Sequence, residues 1–247
     1  MEFKIGLAGR IIGITSQFDE VYDLCKDYIA EGHEDFHVTV YSSDLDFERE
    51  KSIKEALLEG ITSIVYPDCY LETLAIYRKI VLEMLRFNTF LMHGAVIGTS
   101  DNEAVLFTAQ SGVGKTTHIN LWLKNIPGTF AVNGDKPLLK LTDEGFNVCG
   151  TPWAGKEAMQ TNTVLPLKAI CFIERGKTNI IEQVKFEEFY PILFQQIYRP
   201  SDPTKMFKTM ELIKKLGYTV PLYRLKCNME PEAAIVAYEG IFNSQQL

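Results

Sequence analysis

Two short β-type apolar runs, residues 3–7 and 11–15, flank Gly9 and predict a hairpin. Val21, Leu24, Cys25, Tyr28 and Ile29 then recur at helical spacing and predict a helix over 18–30. His37 to Tyr41 alternates and is β-branched, the pattern of a strand. Residues 43–58 predict a charged helix with Leu57 and Leu58 turned inward, 61–66 a short strand stopped by Pro67, and 71–86 a long apolar helix. From residue 90 the character changes. Residues 90–97 form an apolar strand interrupted by His93 and Gly94, a turn falls at Asp101-Asn102, and 104–108 is the return strand. A helix follows Lys115 and breaks at Pro127-Gly128. Further strands are predicted at 129–132, 138–141, 146–149, 167–174 and 218–225, and helices at 186–197, 203–216 and 231–242. The mixture predicts an α/β (α+β) fold, with an N-terminal α/β segment over 1–88 and a core over 89–247.

The stretch Thr108-Ala-Gln-Ser-Gly-Val-Gly-Lys-Thr-Thr117 lies between a predicted strand and a predicted helix, the context a phosphate-binding loop requires. Gly112 and Gly114 let successive backbone N–H groups converge on one anion, and the helix N-terminus adds its unpaired N–H groups and dipole. Ser111, Gly112, Val113, Gly114, Lys115, Thr116 and Thr117 are therefore the candidate nucleotide-binding residues. Lys115 would reach the phosphates and the Thr116 hydroxyl a Mg²⁺ ion. The general motif opens on glycine; here that position is Ala109.

Composition narrows the partners. The chain has 247 residues, 46% of them hydrophobic, enough for a sizeable core. A net charge of −7 offers no basic field to nucleic acid or anionic lipid. The charge run from Asp44 to Lys54 mixes signs and reads as a solvated helix face. The five cysteines are widely spaced with no Cys-x-x-Cys pair, which argues against a zinc site or disulfide framework. There is no signal-peptide layout and no apolar run of about 18 residues, so a cytoplasmic protein is expected. Homo-oligomerisation stays open.

A phosphate loop takes its metal partner from an acidic residue at a neighbouring strand end, and Asp135 fits that place. Lys136 beside it could meet phosphate or pair with a carboxylate. His93, beside Gly94 on the strand preceding the loop's own, is a candidate phosphate contact or acid–base group. His118, in the first turn of the loop helix, would face nucleotide or solvent. The polar loop 150–156 could receive a ligand, with Lys156 as its charged group; Arg175 and Arg199 carry weaker signals. His33 and His37 among Glu31, Glu34 and Asp35 read as surface residues round a turn.

These residues together resemble the HPr kinase/phosphorylase family and its small relatives, including kinases encoded beside peptide-modifying enzymes, and more distantly phosphoenolpyruvate carboxykinase. Met92-His-Gly-Ala-Val96, Ser111-Gly-Val-Gly-Lys-Thr-Thr117, Gly134-Asp135 and the stretch from Leu165 to Gly176 carry the likeness. It covers about residues 89–245, with weaker similarity from residue 70. The resemblance implies an ATP–Mg²⁺ site on a P-loop core unlike most P-loop folds. It further implies a kinase that transfers the γ-phosphate to a hydroxyl, often serine, of a peptide, protein or small molecule. Carried over by position, Lys115 takes the phosphates, Thr116 and Asp135 the metal, and His93 lies near the transferring group. The family's usual aspartate pair is here a single Asp135 between Gly134 and Lys136, so His93 or another carboxylate must serve as base, or turnover is weak. A nucleotide-binding sensor of a modification system is the alternative. A decarboxylating carboxykinase would need a manganese site and an arginine set that the sequence does not assemble.

Overall fold

The computed structural model describes residues 1–58, 60, 65–110 and 112–243. Two compact units divide the chain, Met1–Met84 and Leu85–Leu247.

In the first unit β1 (Glu2–Leu7) and β2 (Arg10–Thr15) pair antiparallel across Ala8 and Gly9, whose φ values of 50° and 73° make the left-handed two-residue turn that suits a twisted hairpin. β3 (Phe36–Thr39) joins β2 in parallel, and the crossover holds α1 (Asp19–Cys25) and a 3₁₀ turn (Lys26–Tyr28). α2 (Ser42–Leu58) and α3 (Asp68–Met84) pack together, and α3 also covers α1 and β3. The fully buried Glu72 accepts from the N–H groups of Gln17 (2.7 Å) and Phe18 (3.0 Å), so a carboxylate of α3 holds the entry to α1.

The α2 face corrects the sequence expectation. Leu57 is 57% exposed, while Leu45, Glu48 and Ala56 are buried; the Leu58 side chain lies outside the described set. Arg78 of α3 explains the inward carboxylates, donating to Glu48 (2.5 Å) and Asp44 (3.0 Å), and Lys79 reaches Asp44 (2.6 Å). Of the strand expected at 61–66, residues 61–64 lie outside the described residues, and Val65 and Tyr66 are not strand.

The second unit is a nine-stranded mixed sheet with helices on both faces, so the α/β class stands. Its strands are β4 (Thr89–Leu91), β5 (Ala95–Gly98), β6 (Ala104–Thr108), β7 (Phe130–Asn133), β8 (Leu138–Thr142), β9 (Gly145–Cys149), β10 (Val164–Arg175), β11 (Ile180–Val184) and β12 (Leu222–Cys227). The order is β4-β8-β9-β10-β6-β5-β7, with β12 also on β10 and β11 on β12. The twelve-residue β10 curls the sheet: its first residues pair antiparallel with β9, and the remainder runs parallel to β6 and β12.

The helices are α4 (Lys115–Asn125), α5 (Phe186–Gln196), α6 (Pro203–Thr219) and α7 (Glu232–Phe242). Val105 and Phe107 join Ile119 and Trp122 of α4 and Ala233, Ala234 and Ala237 of α7 in one core. Ala104 and Leu106, on the other face of β6, join Phe189 and Leu193 of α5 and Leu212, Ile213 and Leu216 of α6. Burial on both faces explains why β6 reads as a continuous apolar run.

Residues 90–97 are not one strand. β4 pairs with β8, whereas β5 pairs with β6 and β7, and Met92-His93-Gly94 carries the chain between them. At Gly94 an added Cβ would lie 2.9 Å from the Phe107 carbonyl, so glycine permits this close approach to β6. β11 was not anticipated: Ile180 to Val184 is short and largely exposed, with little alternation to reveal it.

Candidate functional site: a glycine-bearing loop facing a His–Asp–Lys cluster

Topology assembles the site at one sheet edge. β6 ends at Thr108 and leads into the loop; β5, antiparallel to it, starts opposite Phe107 at Ala95. β7 is antiparallel to β5 and sets Asn133 against Val96. His93, the loop after β6 and Asp135 are thus brought together from three separate stretches. Hydrogen bonds lock this meeting: Thr108 Oγ1 donates to the His93 carbonyl (2.9 Å), Gly94 N–H to the Asp135 carbonyl (3.0 Å), and His93 N–H to the Gln196 carbonyl at the end of α5 (2.6 Å).

The loop has the backbone its glycines imply. Gly112 and Gly114 sit at φ 74° and 122°, and a Cβ on Gly112 would meet nothing, so conformation rather than space demands glycine there. Ala109 is fully buried in the α4–α7 core without a positive φ, which is why a methyl group is tolerated where the general motif has glycine. Val113 packs against that same core. Gly114 is the N-cap of α4 and offers no side chain to the first-turn N–H groups of Lys115, Thr116 and Thr117, which lack intrahelical partners. Thr116 and Thr117 are exposed; Ser111 lies outside the described residues.

Asp135 is the electrostatic centre. Asn133 Oδ1 accepts from the N–H groups of Asp135 (2.9 Å) and Lys136 (2.7 Å), and this Asx turn presents the carboxylate. His93 Nε2 lies 2.9 Å from Asp135 Oδ1, and the Lys136 ammonium is paired with Oδ2. Burial would push the Asp135 carboxyl up, but the His93 hydrogen bond and the Lys136 charge outweigh it and hold it well below the usual carboxylate range. The half-buried Lys115 reaches the Ala109 carbonyl (3.4 Å); burial lowers its pKa, Asp135 opposes that shift and Lys136 adds to it.

The loop after β9 closes over this turn. Asn133 Nδ2 donates to both the carbonyl and Oγ1 of Thr151 (3.0 Å each), and Thr151 Oγ1 donates to the Lys136 carbonyl (2.9 Å). A Cβ on Gly155 would sit 3.0 Å from Asp135 Cβ, and one on Gly134 would sit 2.7 Å from the Ala154 carbonyl. Glycines at 134 and 155 therefore let the two backbones touch. Trp153 is packed inward, whereas Lys156 is exposed and makes no contact with the His93–Asp135 pair.

Two further residues stand apart from expectation. His118 faces neither nucleotide nor solvent: it is 2% exposed, set against Phe107, and its Nε2 accepts from Trp122 Nε1 (3.0 Å). Burial lowers its pKa to about 4. Arg175, a weak candidate in the sequence, donates through Nη2 to the Gly112 carbonyl (2.6 Å) and through Nε to the Val113 carbonyl (3.3 Å). Its signal was its place, at the end of the strand that runs parallel to β6.

The remaining candidates form no second centre. His37 bonds Thr15 Oγ1 and Glu34 at an exposed position, and among the described residues no group of three or more His, Cys, Asp or Glu side chains converges as a metal site. All five cysteines are free, and burial pushes the Cys25 and Cys149 thiols up to about 12. Among the described residues no helix is long and apolar enough to cross a membrane. No protein-family model matches the chain, and no curated protein matches it significantly.

Proposed function

We propose that the second unit is an ATP-dependent kinase of the HPr-kinase-like kind, transferring the γ-phosphate to a hydroxyl of a peptide, protein or small molecule. The observation that carries the proposal is an imbalance of donors. Lys136 and His93 share Asp135, while among the described residues Lys115 has no carboxylate within 4.0 Å, and the first turn of α4 beside it has no side-chain cap. Partly buried positive charge without a counter-charge costs several kcal/mol, and a bound polyphosphate removes that cost.

Nucleotide and metal fit the residues present. Gly112 and Gly114, both at positive φ, put no side chain of their own in the way of a phosphate tail beside Lys115, with the Thr117 side chain 3.9 Å from where a Gly114 Cβ would be. Thr116 and Asp135 are the hard oxygen donors Mg²⁺ takes, with phosphate and water completing its shell. Lys136 already holds one oxygen of that carboxylate and so competes with a metal for it. When bound, Mg²⁺ supplies positive charge against the oxygens of the transferring group.

The chain's own residues divide the remaining work. Lys115 and the first-turn N–H groups hold the phosphates in line and stabilise the charge that develops on them. Asp135, held well below the usual carboxylate range, is a poor proton acceptor at neutral pH. It orients His93 instead: in the tautomer that donates from Nε2 to Asp135, Nδ1 is left to take the acceptor's proton. One histidine thereby fills the place of a second aspartate. The acceptor would enter beside the loop from Gly150 to Lys156, whose backbone lies against Asp135.

The test is phosphate transfer or release from ATP with Mg²⁺, with His93→Gln and Asp135→Asn compared with wild type. A kinase loses turnover in both variants while keeping nucleotide binding. Binding with no Asp135-dependent turnover on any hydroxyl acceptor would instead select the nucleotide-binding sensor.

A further inference from the structure

We infer that Arg175 is a positioning residue for the phosphate loop: it fixes the peptide planes that aim the Gly114 N–H at the nucleotide. The inference rests on the nucleotide-binding proposal above. Arg175 is the last residue of β10, and β10 runs parallel to β6, so both strands finish at the same sheet edge. The strand end sets the guanidinium beside the loop, where it spans two consecutive carbonyls, Gly112 at 2.6 Å and Val113 at 3.3 Å.

The consequence follows from peptide geometry. In a trans peptide the C=O and the next N–H point to opposite sides. With the Gly112 carbonyl drawn to Arg175, the Val113 N–H turns the other way and meets the Gln110 carbonyl at 3.3 Å, closing the turn. With the Val113 carbonyl also drawn to Arg175, the Gly114 N–H faces away from the guanidinium, on the side left for an anion. Gly114 at φ 122° has little intrinsic preference for this orientation, because glycine populates both signs of φ. An external clamp therefore decides it. A planar fork suits two adjacent carbonyls in a way that a lysine ammonium, a single point charge, does not. Since its Nε and Nη2 both donate to backbone oxygen of the loop, Arg175 acts through the loop and not on phosphate.

Arg175→Met keeps the stem and removes the fork at an exposed position, so the fold is expected to survive, checked by an unchanged Tm. Calorimetric titration with ATP and with ADP, each with Mg²⁺, should show both weakened by a common factor of about tenfold, the loss of one charge-assisted hydrogen bond's worth of preorganisation. The kcat of ATP hydrolysis at saturation should stay within about twofold, since uniform binding is lost rather than transition-state contact. Hydrogen exchange of amides 112–117 in the ligand-free variant should quicken, and Arg175→Lys should recover part of each effect. Unchanged affinity with unchanged exchange would overturn the inference. So would a loss confined to ATP, which would make Arg175 a direct contact of the γ-phosphate. A wild-type chain that binds neither nucleotide would overturn the proposed function instead, and the exchange data on the free protein would still report separately on the brace.

Discussion

Two charged clusters of this protein use similar side chains for opposite ends. In the first unit Arg78, Lys79 and Lys51 meet Asp44 and Glu48, and each of these cations lies within 4.0 Å of a carboxylate, with Glu48 2% exposed. In the second, Lys136 and His93 share Asp135, and among the described residues Lys115 has no carboxylate within 4.0 Å, beside an uncapped helix N-terminus. In the first cluster every cation has a carboxylate, and the pairs stitch α2 to α3. In the second Lys115 is left over, and a cation left over at a glycine-bearing turn is what a phosphate ligand needs. Pairing of each cation, more than charge density, separates a brace from a candidate site.

The comparison can be broken most forcefully at the proposed catalytic end. Asp135→Asn should cut turnover by about 10³-fold, the scale on which a group that orients a catalytic imidazole is felt, while nucleotide affinity stays within a few-fold. A variant that loses binding as severely as turnover would make Asp135 a scaffold residue. At the paired end, Arg78→Met should cost about 3 kcal/mol of unfolding free energy, because the buried Glu48 keeps only the more distant Lys51, at 3.9 Å. Denaturant titration measures this, and nucleotide affinity should not change.

A third expected effect concerns pH. His118 has its pKa lowered from 6.5 to about 4 in the folded state by burial. The unfolded chain therefore takes up a proton between those values when the folded chain does not, and stability falls as the pH drops through that window, by on the order of 3 kcal/mol in full. Thermal melts of His118→Phe between pH 7 and pH 4 should show a flatter decline; a slope identical to wild type would remove His118 from the account. Smallest is Lys136→Ala. Freeing Asp135 Oδ2 should lower the Mg²⁺ concentration for half-maximal ATP hydrolysis by about three- to fivefold, a partly exposed ion pair being worth up to roughly 1 kcal/mol. A rise in the Mg²⁺ requirement would show that Lys136 serves the metal site rather than competing with it.

Local signals in the sequence carried the hairpin at Gly9 and the strand–loop–helix frame, because turn chemistry and apolar runs report on neighbours in the chain. What they missed depends on distant partners. The single strand expected over 90–97 became two because Gly94 must pass the Phe107 carbonyl, a contact no local pattern encodes. Leu57 was expected inside, yet α2 buries Glu48 there because Arg78 waits on another helix. His93, Lys115 and Asp135 were legible as candidates from motif spacing; that one aspartate would be shared by His93 and Lys136 was not. Arg175 was only a weak candidate in the sequence, because its bond to the loop depends on β10 lying beside β6.

The central claim, that Lys115 and the loop beside Asp135 grip a triphosphate, is tested most directly by titrating ATP with Mg²⁺ into the wild type and into Lys115→Met in a calorimeter. The account predicts one ATP bound per chain and an affinity at least about a hundredfold weaker in the variant, the penalty for deleting a desolvated charged contact. Heat of binding that is the same in both proteins, or absent from the wild type, would contradict it.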